Sequence, residues 1–224
     1  MPQPISEIDV VNLALDRLGH HPGSSISNPQ DAVEFVMSRW YQQTRREMLR
    51  KYIFNFARKS VLLTASANAP THPEFSNGYA LPNDFVRLLT IGDRVLYGGA
   101  IPTNFFDFNQ GFLYCDDLTD QGAAAVPAAA LQVNYIYDVK LVQAFDPLFL
   151  KVLVLQLAVN VCKKVTGKEP SERLLSELLD ADVAAAAVAG QEKPPRRVQR
   201  SRIRDVRRSG GIFRNNTVIG GWGP

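Results

Sequence analysis

Three histidines, two cysteines and one short acidic run are the residues of this chain whose types could do ordinary active-site chemistry. His20 and His21 sit beside Pro22 in a loop, and neither they nor His72 has a Glu or Cys at a metal-ligand interval, so a surface or packing role is read for all three. Asp116, Asp117 and Asp120 form an acidic cluster without the fixed spacing of a calcium loop, and read as a solvated turn. The sequence holds no G-x-S-x-G, no G-x-x-x-x-G-K-[ST] and no H-E-x-x-H. The pairs Gly98-Gly99 and Gly220-Gly221 lead into no helix with a phosphate-binding lysine. Cys115 and Cys162 are far apart, make no C-x-x-C pair, and Cys162 falls on an apolar helical pattern where a small buried hydrophobe is expected. The chemistry therefore points away from an enzyme, with no catalytic residue, no metal site and no cofactor expected.

Charge is the stronger signal. The 34 residues from Gln191 hold nine cations and two acids, a local charge of +7, whereas the remaining 190 residues hold 16 cations and 20 acids, or −4. Arg196, Arg197, Arg200, Arg202, Arg204, Arg207 and Arg208 are dense in this arm, with Phe213 and Trp222 its aromatic residues. A basic arm on an acidic body meets something acidic: nucleic acid, another protein or a neighbouring subunit. A single-strand binder would interleave more aromatic residues, and the planar guanidinium fork suits carboxylates as well as phosphates. Docking on an acidic protein surface and binding DNA both remain readings of the arm. Residues 39–51 are also rich in cations and read as a solvated helix face with ion pairs, a phosphate backbone being the alternative.

The elements that would position these groups follow from periodicity. Ser6 and Asp9 predict a capped helix with Val11, Leu15 and Leu18 on one face, Ile5 and Val10 as a staple, and Gly19 as a left-handed stop. Asn28-Pro29 predicts the start of a second helix running to about residue 52, with Asp31 in its first turn. From 54 to 138 aromatic and β-branched runs alternate with Gly, Pro, Asn and Asp. They predict strands at 58–64, 85–91, 94–97, 105–108, 112–115 and 131–137, with turns at Gly92-Asp93, Gly98-Gly99 and Asn109-Gln110-Gly111, and loops at 64–78 and 116–130. Asp146-Pro147 opens a third helix, apolar around most of its circumference and closed by Gly167. Its run 147–162 contains Lys151 and Gln156 and is short of the roughly 20 residues a bilayer needs, so no membrane is expected. Ser171 caps a fourth helix, with Leu174, Leu175, Leu178, Leu179 and Val183 as its face and Gly190 as its end.

The reading is an α+β fold: a helical bundle from 1–53 and 139–190, a β-rich insertion at 54–138, and an extended basic arm at 191–224 that orders on binding. The opening residues lack a cationic region before an apolar run, so no signal peptide is expected, and cysteine usage favours a reducing compartment.

Four segments, in this order, resemble one known family. They are residues 5–19 (ISEIDVVNLALDRLG), Asn55-Phe56-Ala57-Arg58, residues 79–87 (YALPNDFVR) and Tyr135-Ile136-Tyr137-Asp138. Over about residues 5–190 the chain resembles tail tubular protein A, the head-to-tail adaptor or gatekeeper ring of short-tailed bacteriophages. The resemblance implies a virion protein at the head–tail junction, assembled in the host cytoplasm as a homo-oligomeric ring of twelve. Its partners would be the portal protein and a tail nozzle resembling tail tubular protein B. Double-stranded DNA would pass through its channel without sequence-specific binding. By position, the arm with Arg196, Arg197, Arg200, Arg202, Arg204, Arg207, Arg208, Phe213 and Trp222 would grip the portal. Tyr97, Asn104, Phe106 and Asn109 would lie on loops facing the nozzle. A DNA-binding protein that uses the arginine-rich arm is the alternative.

Overall fold

Ser6 opens helix α1 (Glu7–Arg17), its N–H and hydroxyl donating to Asp9 Oδ2 at 2.9 and 2.8 Å. Gly19, at φ +68°, ends it, its N–H donating to the Asp16 carbonyl. In this computed structural model the described residues are 6–91, 94–95, 106–115 and 130–191, with 94–95 described as backbone alone.

Helix α2 (Ala32–Lys51) starts later than Asn28-Pro29 predicts, with Asp31 at its N-cap. Glu34 is the physical reason. Its carboxylate accepts the Gln30 N–H at 2.6 Å, the Ser24 N–H at 2.5 Å and the Ser24 hydroxyl at 2.9 Å. Those bonds bend residues 24–30 into a loop around the side chain, which is only 6% exposed. Helix α3 (Pro147–Thr166) is the hub, packed by α1, α2 and α4 (Glu172–Gln191). Asp146 Oδ1 accepts the Leu148 N–H at 2.8 Å, and Gly167 closes the helix at φ +72°. Phe149, Val152, Leu153, Leu155, Leu157, Ala158 and Val161 are all buried, so the all-round apolar pattern matches a helix enclosed on its long sides.

Helix α4 packs through Leu174, Ala181, Ala185 and Ala189, with Leu178 and Val188 partly buried. The predicted face is therefore half wrong: Leu175, Leu179 and Val183 are exposed. Two overlapping apolar stripes run along this helix, and small alanines permit the closer approach to α3. Gly190 lies inside the helix instead of ending it.

Between α2 and α3 in sequence lie two antiparallel sheets. The larger has the order β1 (Arg58–Thr64), β7 (Ala130–Tyr137), β3 (Phe85–Ile91), β4 (Arg94–Val95); the smaller has β2 (Gly78–Ala80), β6 (Phe112–Tyr114), β5 (Asp107–Asn109). Strand β7 is central, pairing Arg58 with Ile136 on one side and Phe85 with Tyr137 on the other. Its period of two sorts its side chains. Leu131, Val133 and Tyr135 join Leu63, Tyr79, Leu88, Ile91, Leu113 and Cys115 in a core between the sheets, while Ile136 joins Leu89 in the helical core.

Strand β2 falls at the end of the segment read as loop, too short to show alternation. Gly78 is required there: a Cβ would lie 2.5 Å from Ala69 Cβ and 2.9 Å from Tyr114 Cε1. The β5–β6 hairpin turns where Asn109-Gln110-Gly111 predicts, with φ +50° at Gln110 and +85° at Gly111. The expected turns at 92–93 and 98–99, the staple residue Ile5, the acidic run 116–120 and the arm lie outside the described residues. Among the described residues no helix is long and apolar enough to cross a membrane.

Candidate functional site

Arg45 is the most constrained charge in the described structure. It lies mid-α2, facing inward, and is 2% exposed. Its Nε and Nη2 donate to the two carboxylate oxygens of Asp138 at 3.1 and 3.2 Å, and its Nη1 donates to Glu7 Oε1 at 2.9 Å. Its guanidinium lies 5.5 Å from the Tyr41 ring centroid. One fork thus ties α1, α2 and the end of β7. The Tyr41 hydroxyl beside it is pushed up to about 12, by burial first and then by the negative charge of Glu7.

A second carboxylate continues the junction. Asp84, just before β3, accepts from Lys59 Nζ at 2.7 Å and from the Tyr135 hydroxyl at 2.9 Å, and its carbonyl accepts the Asp138 N–H at 2.7 Å. Burial pushes its carboxyl up, but the Lys59 and Tyr135 bonds outweigh that and hold it below the ordinary range. Arg87 Nη1 donates to the Arg50 carbonyl at 2.9 Å, satisfying the open last turn of α2. Phe56 stacks against Phe54, Phe145 and Phe149, carrying the connection into α3. Three of the four segments that carry the family resemblance supply Glu7, Asp84, Tyr135 and Asp138 to this helix–sheet junction, and Phe56 of the fourth packs in the aromatic cluster with Phe145 and Phe149.

Glu34, Asp84 and Asp182 all have carboxyl groups held below the usual range, Glu34 at about 2 through the Gln30 and Ser24 hydrogen bonds. Asp182, on α4, is lowered against its own burial by hydrogen bonds from Lys51 and Tyr52 at the end of α2. The shifted lysines, Lys59 and Lys163, move up.

His72 is 11% exposed at its side chain and lies in a cleft of about 470 Å³ formed by residues 65–78 and Tyr114. Its Nε2 bonds Asp107 Oδ2 at 3.1 Å, its Nδ1 accepts the Glu74 N–H at 3.2 Å, and its ring packs on Tyr114 and Phe75. Both ring nitrogens therefore have hydrogen-bond partners within the chain. Among the described residues no three of His, Cys, Asp and Glu gather to hold a metal ion. Cys115 and Cys162 are buried free thiols.

Of the four residues expected on nozzle-facing loops, Phe106 and Asn109 are described. Asn109 is exposed at the hairpin tip, and Phe106 contacts Phe108 at 5.4 Å between ring centroids. Phe108, 43% exposed, in turn meets Phe85 at 5.8 Å. Tyr97 and Asn104, like the nine arm residues, lie outside the described residues. Comparison of the chain with protein-family models and with curated proteins finds no match to either.

Cations of α2 divide by partner. Arg45 and Lys51 are paired, and Arg46 approaches Asp138 at 3.9 Å. Arg39 lies over the Phe35 ring. Sequence reasoning missed Arg45 because seven charges crowd this helix, and one buried cation among them has no distinct local spacing. The signal that could have found it is position: Arg45 falls in line with Met37, Tyr41, Met48 and Leu49 on the apolar stripe.

Proposed function

We propose that this protein is a structural adaptor of the tail tubular protein A type, a ring subunit that joins a phage portal to the tail nozzle and leaves a passage for DNA. The observation that carries the reading is the junction: three of the four segments of the resemblance, lying between Ile5 and Asp138, supply Glu7, Asp84, Tyr135 and Asp138 to one connected set of ion pairs and hydrogen bonds around Arg45. A part that transmits force between a capsid and a tail needs its helical and sheet portions held at a fixed angle, and a buried bidentate arginine does that.

In this reading helices from both ends of the folded portion form the bundle, the sheets form the inserted module, and residues 191–224 reach the portal. Many weak arms around a ring of twelve would bind collectively. The hairpin with Phe106 and Asn109, together with Tyr97 and Asn104, would meet the nozzle. DNA would pass without sequence-specific contact, along a net acidic body that does not hold phosphates. The site of action would be the virion's head–tail junction.

Mixing the purified full chain with its portal and imaging the mixture by negative-stain electron microscopy tests the proposal. A ring added to the portal is expected, and loss of that ring when Arg200, Arg202 and Arg204 are replaced by Glu. Unchanged portal rings would overturn it. Tight duplex-DNA binding that falls steeply with salt and needs the arm would favour the DNA-binding alternative.

A further inference from the structure

Helix α4 leaves an apolar stripe to solvent on the side opposite its packed face. Leu175, Leu179 and Val183 recur every four residues and are 40%, 66% and 70% exposed. At 100° per residue Glu172, Ala186 and Gly190 fall within the same 80° sector. Among the described residues nothing covers it. Such a contiguous stripe is uncommon on an isolated chain and marks a contact surface. The alanines and glycine at its far end would let a second helix approach closely.

The opposing shape is on α2. Its outward sector holds Phe35, 54% exposed, then Arg39, Gln42, Gln43, Arg46 and Arg50. The two helices are also opposite in charge: α2 carries five cations and two acids, α4 four acids and one cation. The charges left over lie on the outward faces. Among the described residues Glu172 and Asp180 have no ion-pair partner on α4, and Arg39 and Arg50 have none on α2; Arg46, 55% exposed at its side chain, only approaches Asp138 at 3.9 Å, whereas Glu177, Asp182, Arg45 and Lys51 are committed within the chain. With a rise of about 1.5 Å per residue, Glu172 and Asp180 are about 12 Å apart, and Arg39 and Arg46 about 10 Å. The axial spacings match closely enough for two pairs to form at once across a helix–helix contact, with Glu172 at the end of the apolar strip of Leu175 and Leu179 and Asp180 at its side.

The geometry points to a heterologous contact between copies of this chain, in which the Leu175–Leu179–Val183 stripe of one copy seats on the Phe35–Arg39–Arg46 face of the next. The occupant is a second copy because the complementary face, apolar and cationic, is on the chain itself. Each copy then offers one stripe and one receiving face, so contacts propagate head to tail, and a ring results where the rotation closes. The closure into a ring rests on the adaptor reading; the pairwise contact does not.

The test uses full-length chains, one with Phe35→Cys, one with Leu179→Cys and one with both, treated with a short bismaleimide. Native Cys115 and Cys162 are buried and leave the parent chain as a blank. The double variant should give a ladder of dimer, trimer and larger species on a denaturing gel, and the single variants should stay at one-chain mass. Adding Leu175→Asp to the double variant should lower the ladder yield by about tenfold, equivalent to about 1.4 kcal/mol of contact free energy. Asp180→Arg should lower the yield several-fold, and Arg39→Glu added to Asp180→Arg should raise it again. No ladder from the double variant overturns the contact. So does a dimer from Leu179→Cys alone, which would mean a symmetric α4–α4 pair. A ladder-forming chain that leaves portal unbound would sink the adaptor reading and keep this contact; a portal binder that gives no ladder would do the reverse.

Discussion

Replacing Arg45 by Met is expected to be the most damaging single charge removal among the described residues. Methionine keeps most of the length and apolar volume, so the change isolates the guanidinium. What it leaves behind is Asp138, whose side chain is 13% exposed, facing no cation nearer than Arg46 at 3.9 Å, and a Glu7 carboxylate that loses its 2.9 Å partner. Breaking a buried pair by removing one partner costs about 3–5 kcal/mol, because the remaining charge stays desolvated. For a domain of this size that is a fall in Tm of about 6–20 °C, a large share of a total stability of about 5–15 kcal/mol. Circular dichroism melts and denaturant titrations of parent and variant give the number. Arg45→Met with Asp138→Leu should recover much of the loss, since replacing both partners removes the unpaired charge. A single variant that loses under about 1 kcal/mol, the range of an exposed pair, would refute the claim that this arginine fastens the helices to the sheet.

Three further outcomes follow from the same structure. Leu153→Ala, at a fully buried hub position of α3, should cost about 2–5 kcal/mol in a denaturant titration. Tyr41 is raised in the folded chain from an ordinary value of 10.0 to about 12, so its neutral form contributes stability that is complete below pH 10 and is lost as pH rises through 12. Absorbance at 295 nm should show that tyrosine titrating late, and Tyr41→Phe should flatten the alkaline fall in stability. Glu34 is depressed, so its contribution is complete above about pH 4.5 and is lost as pH falls toward 2; Glu34→Gln should lower stability at pH 7 and weaken its acid dependence, read by melts from pH 7 to pH 2.

Most of the α+β order was legible because long periodic elements carry their own signal. The central helix declared itself through Asp146-Pro147, an unbroken apolar run and Gly167, and β1 and β3 fall where β-branched and aromatic residues cluster. What the sequence concealed was tertiary in origin. Glu34 reads as one more acid in a helix, yet it wraps residues 24–30 around itself and moves the helix start to Asp31. Leu175, Leu179 and Val183 have the spacing of a core face, and nothing local distinguishes a stripe that packs within the chain from one left to solvent; only the second stripe through Ala181, Ala185 and Ala189 decides it. The candidate site was legible in pieces. Glu7, Asp84 and Asp138 lie inside segments that the sequence singled out, but their convergence on Arg45 and Tyr135 needs the antiparallel register of β3 and β7.

The central claim is that this chain is a connector between head and tail. If the chain is a phage connector, electron micrographs of particles assembled with it and labelled with an antibody against it test that proposal most directly. The account predicts label at a single collar between capsid and tail nozzle. Label spread over the capsid shell, or particles that carry none of the chain, would contradict it.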